Sequence, residues 1–188
     1  MAKFCETHPG SSYLVAAASD TPGVNTMVVR KSVTGSSFHG STKVEDAVQR
    51  QVPTITLDQV TADQALPGPY LIKIDVEGHE LHILRGAERC LEQTGMVMTE
   101  VILWNDHSSR GRASLMDQFR FLEDRGFVLY DIIEPAYRPI DGALYVFDGV
   151  FVKHDSPLRQ VRSFRNKEQY AATRAGKEAR ARAFDGQS

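Results

Sequence analysis

The stretch Tyr70-Leu71-Ile72-Lys73-Ile74-Asp75-Val76, followed by a helix-patterned segment from Glu80 to Gln93, constrains the fold of this chain more than any other feature. A near-continuous apolar run of that length is the pattern of a central parallel strand buried on both faces. In the segment that follows, Leu81, Leu84, Ala87 and Leu91 recur at spacings of three and four, which puts them on one helical face. Gly95 is expected to stop this helix, and Gly86 within it to mark a bend. A buried strand that runs into an amphipathic helix is the repeating unit of an α/β sheet.

The flanking sequence extends this alternation. Tyr13 to Ala18 reads as a short buried strand, with Asp20-Thr21-Pro22-Gly23 as its turn. Thr26 to Val29 and Val52 to Leu57 read as short strands on either side of a Ser/Gly/Thr-rich loop. Leu57 to Ala65 reads as a short helix stopped at Pro67-Gly68-Pro69. Met96 to Leu103 is the next strand. Leu115 to Arg125 is the next helix, with Met116, Phe119, Phe121 and Leu122 expected inward and Gly126 closing it. Phe127 to Ile132 and Leu144 to Val152 are the last two strands. The link from Ile133 to Leu144 has 12 residues and contains Pro135, Pro139 and Gly142. It has no room for a helical crossover, so this pair is expected to be antiparallel. The fold class is therefore α/β, with a mostly parallel sheet and an antiparallel last strand pair.

A length of 188 residues suits one core. A net charge of -2 argues against a protein built to coat nucleic acid, and no nucleic-acid partner is expected. No apolar run reaches the roughly 18 residues of a membrane span. Two cysteines, Cys5 and Cys90, make neither a disulfide framework nor a zinc spacing, and a cytoplasmic setting is expected. The domain is expected to occupy residues 1–157. Residues 158–188 form a tail with eight Lys/Arg against three acids, a net +5 that leaves -7 for the rest of the chain. It reads as a solvated extension, the alternative being a basic segment that meets RNA, membrane or an acidic partner.

The densest polar cluster is Lys73-Ile74-Asp75-Val76-Glu77-Gly78-His79-Glu80. Ligands of open α/β sheets bind outside the carboxyl ends of the strands, and Asp75 stands at such an end. Three acids and an imidazole there can hold a hard cation such as Mg²⁺, position a substrate hydroxyl, or act as general base. Glu77 and Glu80 could equally enrich the first turn of a helix, whose dipole favours acids. Glu100 interrupts the apolar strand from Met96 to Leu103, which places it either at a solvent edge or in the cleft beside Asp75. Trp104, the one tryptophan, and His107 follow that strand and can wall or serve a pocket. There is no Gly-x-Ser-x-Gly elbow, no Gly-x-x-x-x-Gly-Lys-Ser/Thr phosphate loop and no Gly-x-Gly-x-x-Gly after a strand.

Val52-Pro53-Thr54-Ile55-Thr56-Leu57-Asp58, Ile74-Asp75-Val76-Glu77-Gly78-His79-Glu80, Leu84-Arg85-Gly86-Ala87 and Glu100-Val101 together resemble the FkbM methyltransferase family. Ala17-Ala18-Ser19-Asp20 with Gly23 adds to the match, which runs from about Leu14 to about Arg159. The resemblance implies a Rossmann-like class I methyltransferase sheet with its sixth and seventh strands paired antiparallel at one edge. It also implies methyl transfer from S-adenosylmethionine, typically to a hydroxyl on a sugar or other small molecule. Asp75, Glu77, His79 and Glu100 would then serve the acceptor side, Asp75 and Glu77 directly or through Mg²⁺. Ser19 and Asp20 would lie near the adenine of the cofactor. Family members begin with a strand, a Gly-rich turn, a helix and a second strand ending in an acid. None of that precedes Tyr13, so the chain is expected to lack the first β-α-β unit and to bind the cofactor poorly alone. A non-catalytic binding domain and a metal-dependent hydrolase built on Asp75, Glu77 and His79 are the rival readings.

Overall fold

A computed structural model describes residues 2–29, 38, 47–76, 78–104, 114–161, 163–165 and 167–185. By its internal contacts the chain divides into two units, Met1–His154 and Asp155–Ser188. In the first unit, α1 (Ala2–Thr7), β1 (Ala17–Ala18), β2 (Gly23–Val29), β3 (Val48–Ile55) and α2 (Leu57–Asp63) come first. Then follow β4 (Tyr70–Ile74), α3 (Glu80–Arg85), α4 (Glu88–Glu92), β5 (Thr94–Ile102), α5 (Leu115–Glu123), β6 (Phe127–Tyr137) and β7 (Leu144–Lys153).

These strands make two sheets. One has the order β1-β3-β2, the other β4-β5-β7-β6. Among the described strands, β1–β3 and β4–β5 are parallel, whereas β2–β3, β5–β7 and β6–β7 are antiparallel. The expectation of one mostly parallel sheet is corrected accordingly. The physical reason is that β7 returns through a short link and inserts between β5 and β6, which sets two antiparallel ladders beside one parallel one. The antiparallel pairing of the last two strands is as the short Pro/Gly-containing link requires, with β6 at the sheet edge.

Alternation along the strands decides what is covered. In β4, Ile72 and Ile74 are buried while Leu71 and Lys73 are exposed, so the strand expected at the centre of the sheet and buried on both faces is instead the end strand of its sheet, covered on one face only. Parallel register sets Ile72 beside Val97 and Ile74 beside Thr99. The buried members join Ile83, Leu84, Leu91 and Leu122 from the helices, with Phe127 and Phe151 from β6 and β7, in one core. One face of the four-stranded sheet therefore lies under α3, α4 and α5, and the other carries Lys73.

The segment read as one helix from Glu80 to Gln93 is two, broken at Gly86-Ala87. The glycine at this break has a steric cause. A Cβ on Gly86 would lie 2.0 Å from the Ser19 carbonyl oxygen, so only glycine lets the end of β1 pack here. Asp58 of α2 stabilises the same junction. Its carboxylate accepts from the Arg89 and Cys90 amides at 3.1 and 2.8 Å, at the start of α4, and its own amide donates to the Gly86 carbonyl. Gly95 is not the stop of this helix. The helix ends at Glu92, and Gly95 is the second residue of β5.

Ser114 and Asp117 close a reciprocal capping box on α5. Leu122 of that helix is fully buried, and Phe119 and Phe121 pack against the core. Met116, expected inward, is 51% exposed, because the buried face of α5 runs through Gln118 and Leu122 and Met116 falls on the other side of the helix. Gly126, with φ +76°, turns the chain from α5 into β6. In the second unit a short 3₁₀ turn at Pro157–Arg159 leads toward α6 (Lys167–Asp185). Val161 and Phe164 in the connection are 83% and 86% exposed.

Candidate functional site

The residues singled out from the sequence fall into two groups. The first stands on the sheet face opposite the helices. Lys73 points away from the core, and Asp75, one residue past the end of β4, follows it to the same side. Its Oδ2 lies 3.4 Å from the Lys73 Nζ, and its side chain is 73% exposed. Glu100 is the register partner of Asp148 on β7, and it follows Thr99, the partner of Ile74. Alternation therefore puts Glu100 and Asp148 on the face of Lys73 and Asp75. The Lys73 ammonium reaches across β5 and donates to Asp148 Oδ2 at 3.2 Å. That hydrogen bond and the charge of Asp148, with a smaller part from Asp75, hold the Lys73 ammonium above the ordinary lysine range.

The second group joins the two sheets. Ser19 follows β1, its amide donating to the Ile55 carbonyl at 2.9 Å, and it is buried. Its Oγ shares a hydrogen bond of 3.0 Å with His79 Nε2 and also donates to Asp20 Oδ1 at 3.3 Å. The His79 ring is buried at the start of α3. It stacks on His82, one turn later, at 4.4 Å between centroids, and Phe38 lies against its ring. His82 Nδ1 donates to Asp20 Oδ2 at 2.7 Å. Partial burial pushes the Asp20 carboxyl up, but the bonds from His82, Ser19 and Thr21 outweigh it and keep the group below the usual carboxylate range. Glu80 is also buried, and its Oε1 accepts from the Gly78 amide at 2.8 Å.

The structure thus brings Asp75 and Glu100 together on one face and gathers Ser19, Asp20 and His79 elsewhere. Glu77 and His107 lie outside the described residues. Trp104 pins the end of β5, its Nε1 donating to the Leu144 carbonyl at 2.9 Å while Arg138 stacks on its ring. Reading the sequence placed Lys73 in the polar cluster without a role, and missed Asp148 and His82. Asp148 carries the signal that marked Glu100, an acid interrupting an apolar strand. His82 stands three residues from His79, the helical spacing at which side chains meet.

A divalent cation at the first group needs several oxygens aimed at one point. The described oxygens of Asp75 and Asp148 are instead aimed at an ammonium. Among the described residues no group of three His, Cys, Asp or Glu could hold a metal ion. The described residues therefore do not fit Mg²⁺ between Asp75 and Asp148, and of the pair expected to hold it, Asp75 and Glu77, the second lies outside the described residues.

Comparison with known proteins bears on this arrangement. A family model described as the methyltransferase FkbM domain matches residues 4–129. The hexuronic acid methyltransferase AglP of Haloferax volcanii is 33% identical over 63 residues, which is 34% of this chain. The aligned part spans 26% of that relative, about a quarter of its length. No solved structure matches the chain.

Proposed function

We propose, on the premise that the chain belongs to the FkbM methyltransferase domain family, that it serves methyl transfer from S-adenosylmethionine to a hydroxyl of a sugar or other small molecule. The observation that carries the acceptor side of this reading is the placement of Asp75 and Glu100 on one sheet face, at the carboxyl ends of the parallel pair β4 and β5. The name of the Haloferax relative, a hexuronic acid methyltransferase, supports a sugar-type acceptor. We read the sheets as part of a Rossmann-like methyltransferase fold, and the order β4-β5-β7-β6 with its antiparallel edge supports that reading. Among the described residues no helix is long and apolar enough to cross a membrane. We place the reaction in the cytoplasm.

The cofactor side falls to the second group. Ser19 is buried, and its hydroxyl is taken up by His79 and Asp20, so it braces Asp20 and does not reach outward. Asp20 is 34% exposed at its side chain and is kept ionised by three donors. An ionised carboxylate accepts only, which fits the amine and hydroxyl hydrogens of an adenosine. Asp20 would hold that part of the cofactor. When bound, S-adenosylmethionine supplies an electrophilic methyl whose bonding electrons return to sulfur on transfer. The chain's own part is to fix the acceptor oxygen in line with that methyl and to take its proton. Asp75, open to solvent, is the carboxylate placed to take it, with Glu100 beside it on the same face.

The test is transfer of labelled methyl from S-adenosylmethionine to neutral hexoses and hexuronates, with calorimetric titration of the cofactor alongside. Methyl recovered on an acceptor oxygen, at cofactor concentrations high enough to offset the weak binding expected of this chain alone, and lost at least tenfold in Asp75→Asn, is the expected result. A folded chain that neither binds S-adenosylmethionine nor transfers methyl would return the reading to a non-catalytic binding domain.

A further inference from the structure

The first group holds a cation of its own, the Lys73 ammonium. It lies between two carboxylates on different strands, 3.4 Å from Asp75 Oδ2 and 3.2 Å from Asp148 Oδ2. The position is set by the sheet: β4 carries Lys73 and Asp75 on one side, and the β5–β7 register carries Asp148 to that side across β5. Asp148 is the more enclosed partner, its side chain 15% exposed, so it would bear an uncompensated charge if the ammonium were withdrawn. An ammonium has three hydrogens. One is donated to Asp148 Oδ2 and the charge is paired with Asp75 at 3.4 Å, which leaves a hydrogen for a ligand at the exposed end of the side chain.

We propose that the Lys73 ammonium permanently fills the place a divalent metal would take at this site, bridging Asp75 and Asp148 and donating a remaining hydrogen to the acceptor oxygen, so that methyl transfer needs no metal. The proposal rests on the methyltransferase reading for its acceptor and deepens it by naming the residue that contacts that oxygen. As the hydroxyl loses its proton to Asp75, a fixed positive charge beside the oxygen stabilises the developing alkoxide. The oxygen then forms its bond to the methyl carbon as the carbon–sulfur bond breaks. The proton rests on Asp75, and Lys73 keeps all of its hydrogens. A raised lysine value agrees with a group that donates and does not act as base. The chemistry favours a hydroxyl flanked by others, as in a sugar, because two carboxylates and one ammonium in a row offer two acceptors and one donor to neighbouring hydroxyls.

The experiment uses the 188-residue chain with Mn²⁺ as a paramagnetic probe, read by electron paramagnetic resonance and by broadening of carboxylate NMR signals. The wild type is expected to show no Mn²⁺ site near Asp75 and Asp148 at millimolar metal. Lys73→Met is expected to gain one, and Lys73→Met with Asp148→Asn to lose it again. Lys73 is largely exposed, so circular dichroism should report an intact fold in each. Methyl transfer by the wild type should be unchanged in chelator and about a hundredfold slower in Lys73→Met, the scale of losing one donor to a developing oxyanion. Lys73→Arg should recover part of the loss. Mn²⁺ bound between the two carboxylates of the wild type, activity abolished by chelator, or no gain of binding in Lys73→Met overturns the proposal. Wild type that transfers methyl to no hydroxyl overturns the methyltransferase reading and the donor role with it. The Mn²⁺ result alone then decides whether the ammonium occupies the cation position.

Discussion

Gly86 and Asp58 show how single residues of the FkbM-type motifs act as structure. The glycine makes room for the Ser19 carbonyl, and the aspartate satisfies the first amides of α4. Gly86→Ala is expected to cost about 2 kcal/mol or more, because the obstructing atom is backbone and cannot rotate away. Urea denaturation measures it, and a change under ~0.5 kcal/mol would mean that the Ser19 segment is free to shift. Asp20 supplies a pH dependence. Its folded value lies below its unfolded one, so its contribution to stability is complete above about pH 4 and is lost as pH falls through the folded value. Asp20→Asn should therefore flatten the acid limb of the stability curve below about pH 4. An acid limb identical to wild type would show that the bonds to His82, Ser19 and Thr21 add nothing to stability.

At the scale of elements, α5 tests whether the sheet or the helix pattern decides burial. Its apolar residues alone suggest a broad inward face, but only part of it meets the sheet. Leu122→Ala is expected to cost about 2–5 kcal/mol, the range for a fully buried leucine. Met116→Ala, at an exposed position, should stay within about 0.5 kcal/mol. Equal losses at the two positions would contradict the placement of α5. The helix pattern from Glu80 to Gln93 was legible because its apolar spacing survives the break. The break itself was legible only as a glycine, since what it accommodates comes from residue 19.

For the whole molecule, the division into Met1–His154 and Asp155–Ser188 carries its own expectation. The connection exposes Val161 and Phe164 almost fully, so little apolar area there is withdrawn from water. A chain ending at Arg159 is expected to melt within about 2 °C of the full chain, less than the shift that ~1 kcal/mol produces at this size. Scanning calorimetry checks it, and a drop of several degrees would show that residues 160–188 stabilise the first unit.

The sequence by itself determined the local periods: the presence of β4, the helical face of Leu81, Leu84 and Leu91, and the antiparallel return of β7; that β4 ends its sheet and is buried on one face only was decided by the sheet order. Each local period depends on neighbours a few residues away, and those are written in order along the chain. The family was legible too, because its motifs are short strings. Only the tertiary structure decided which charges meet. Lys73 and Asp148 are 75 residues apart, and Ser19 and His79 are 60 apart. Such partners are fixed by sheet order and register, which arise from the burial of many side chains at once and are carried by no single segment. For the same reason Ser19, Asp20 and His79 separate from Asp75 and Glu100, although His79 lies four residues from Asp75. The turn after β4 sends the chain from the open face of one sheet to the junction with the other.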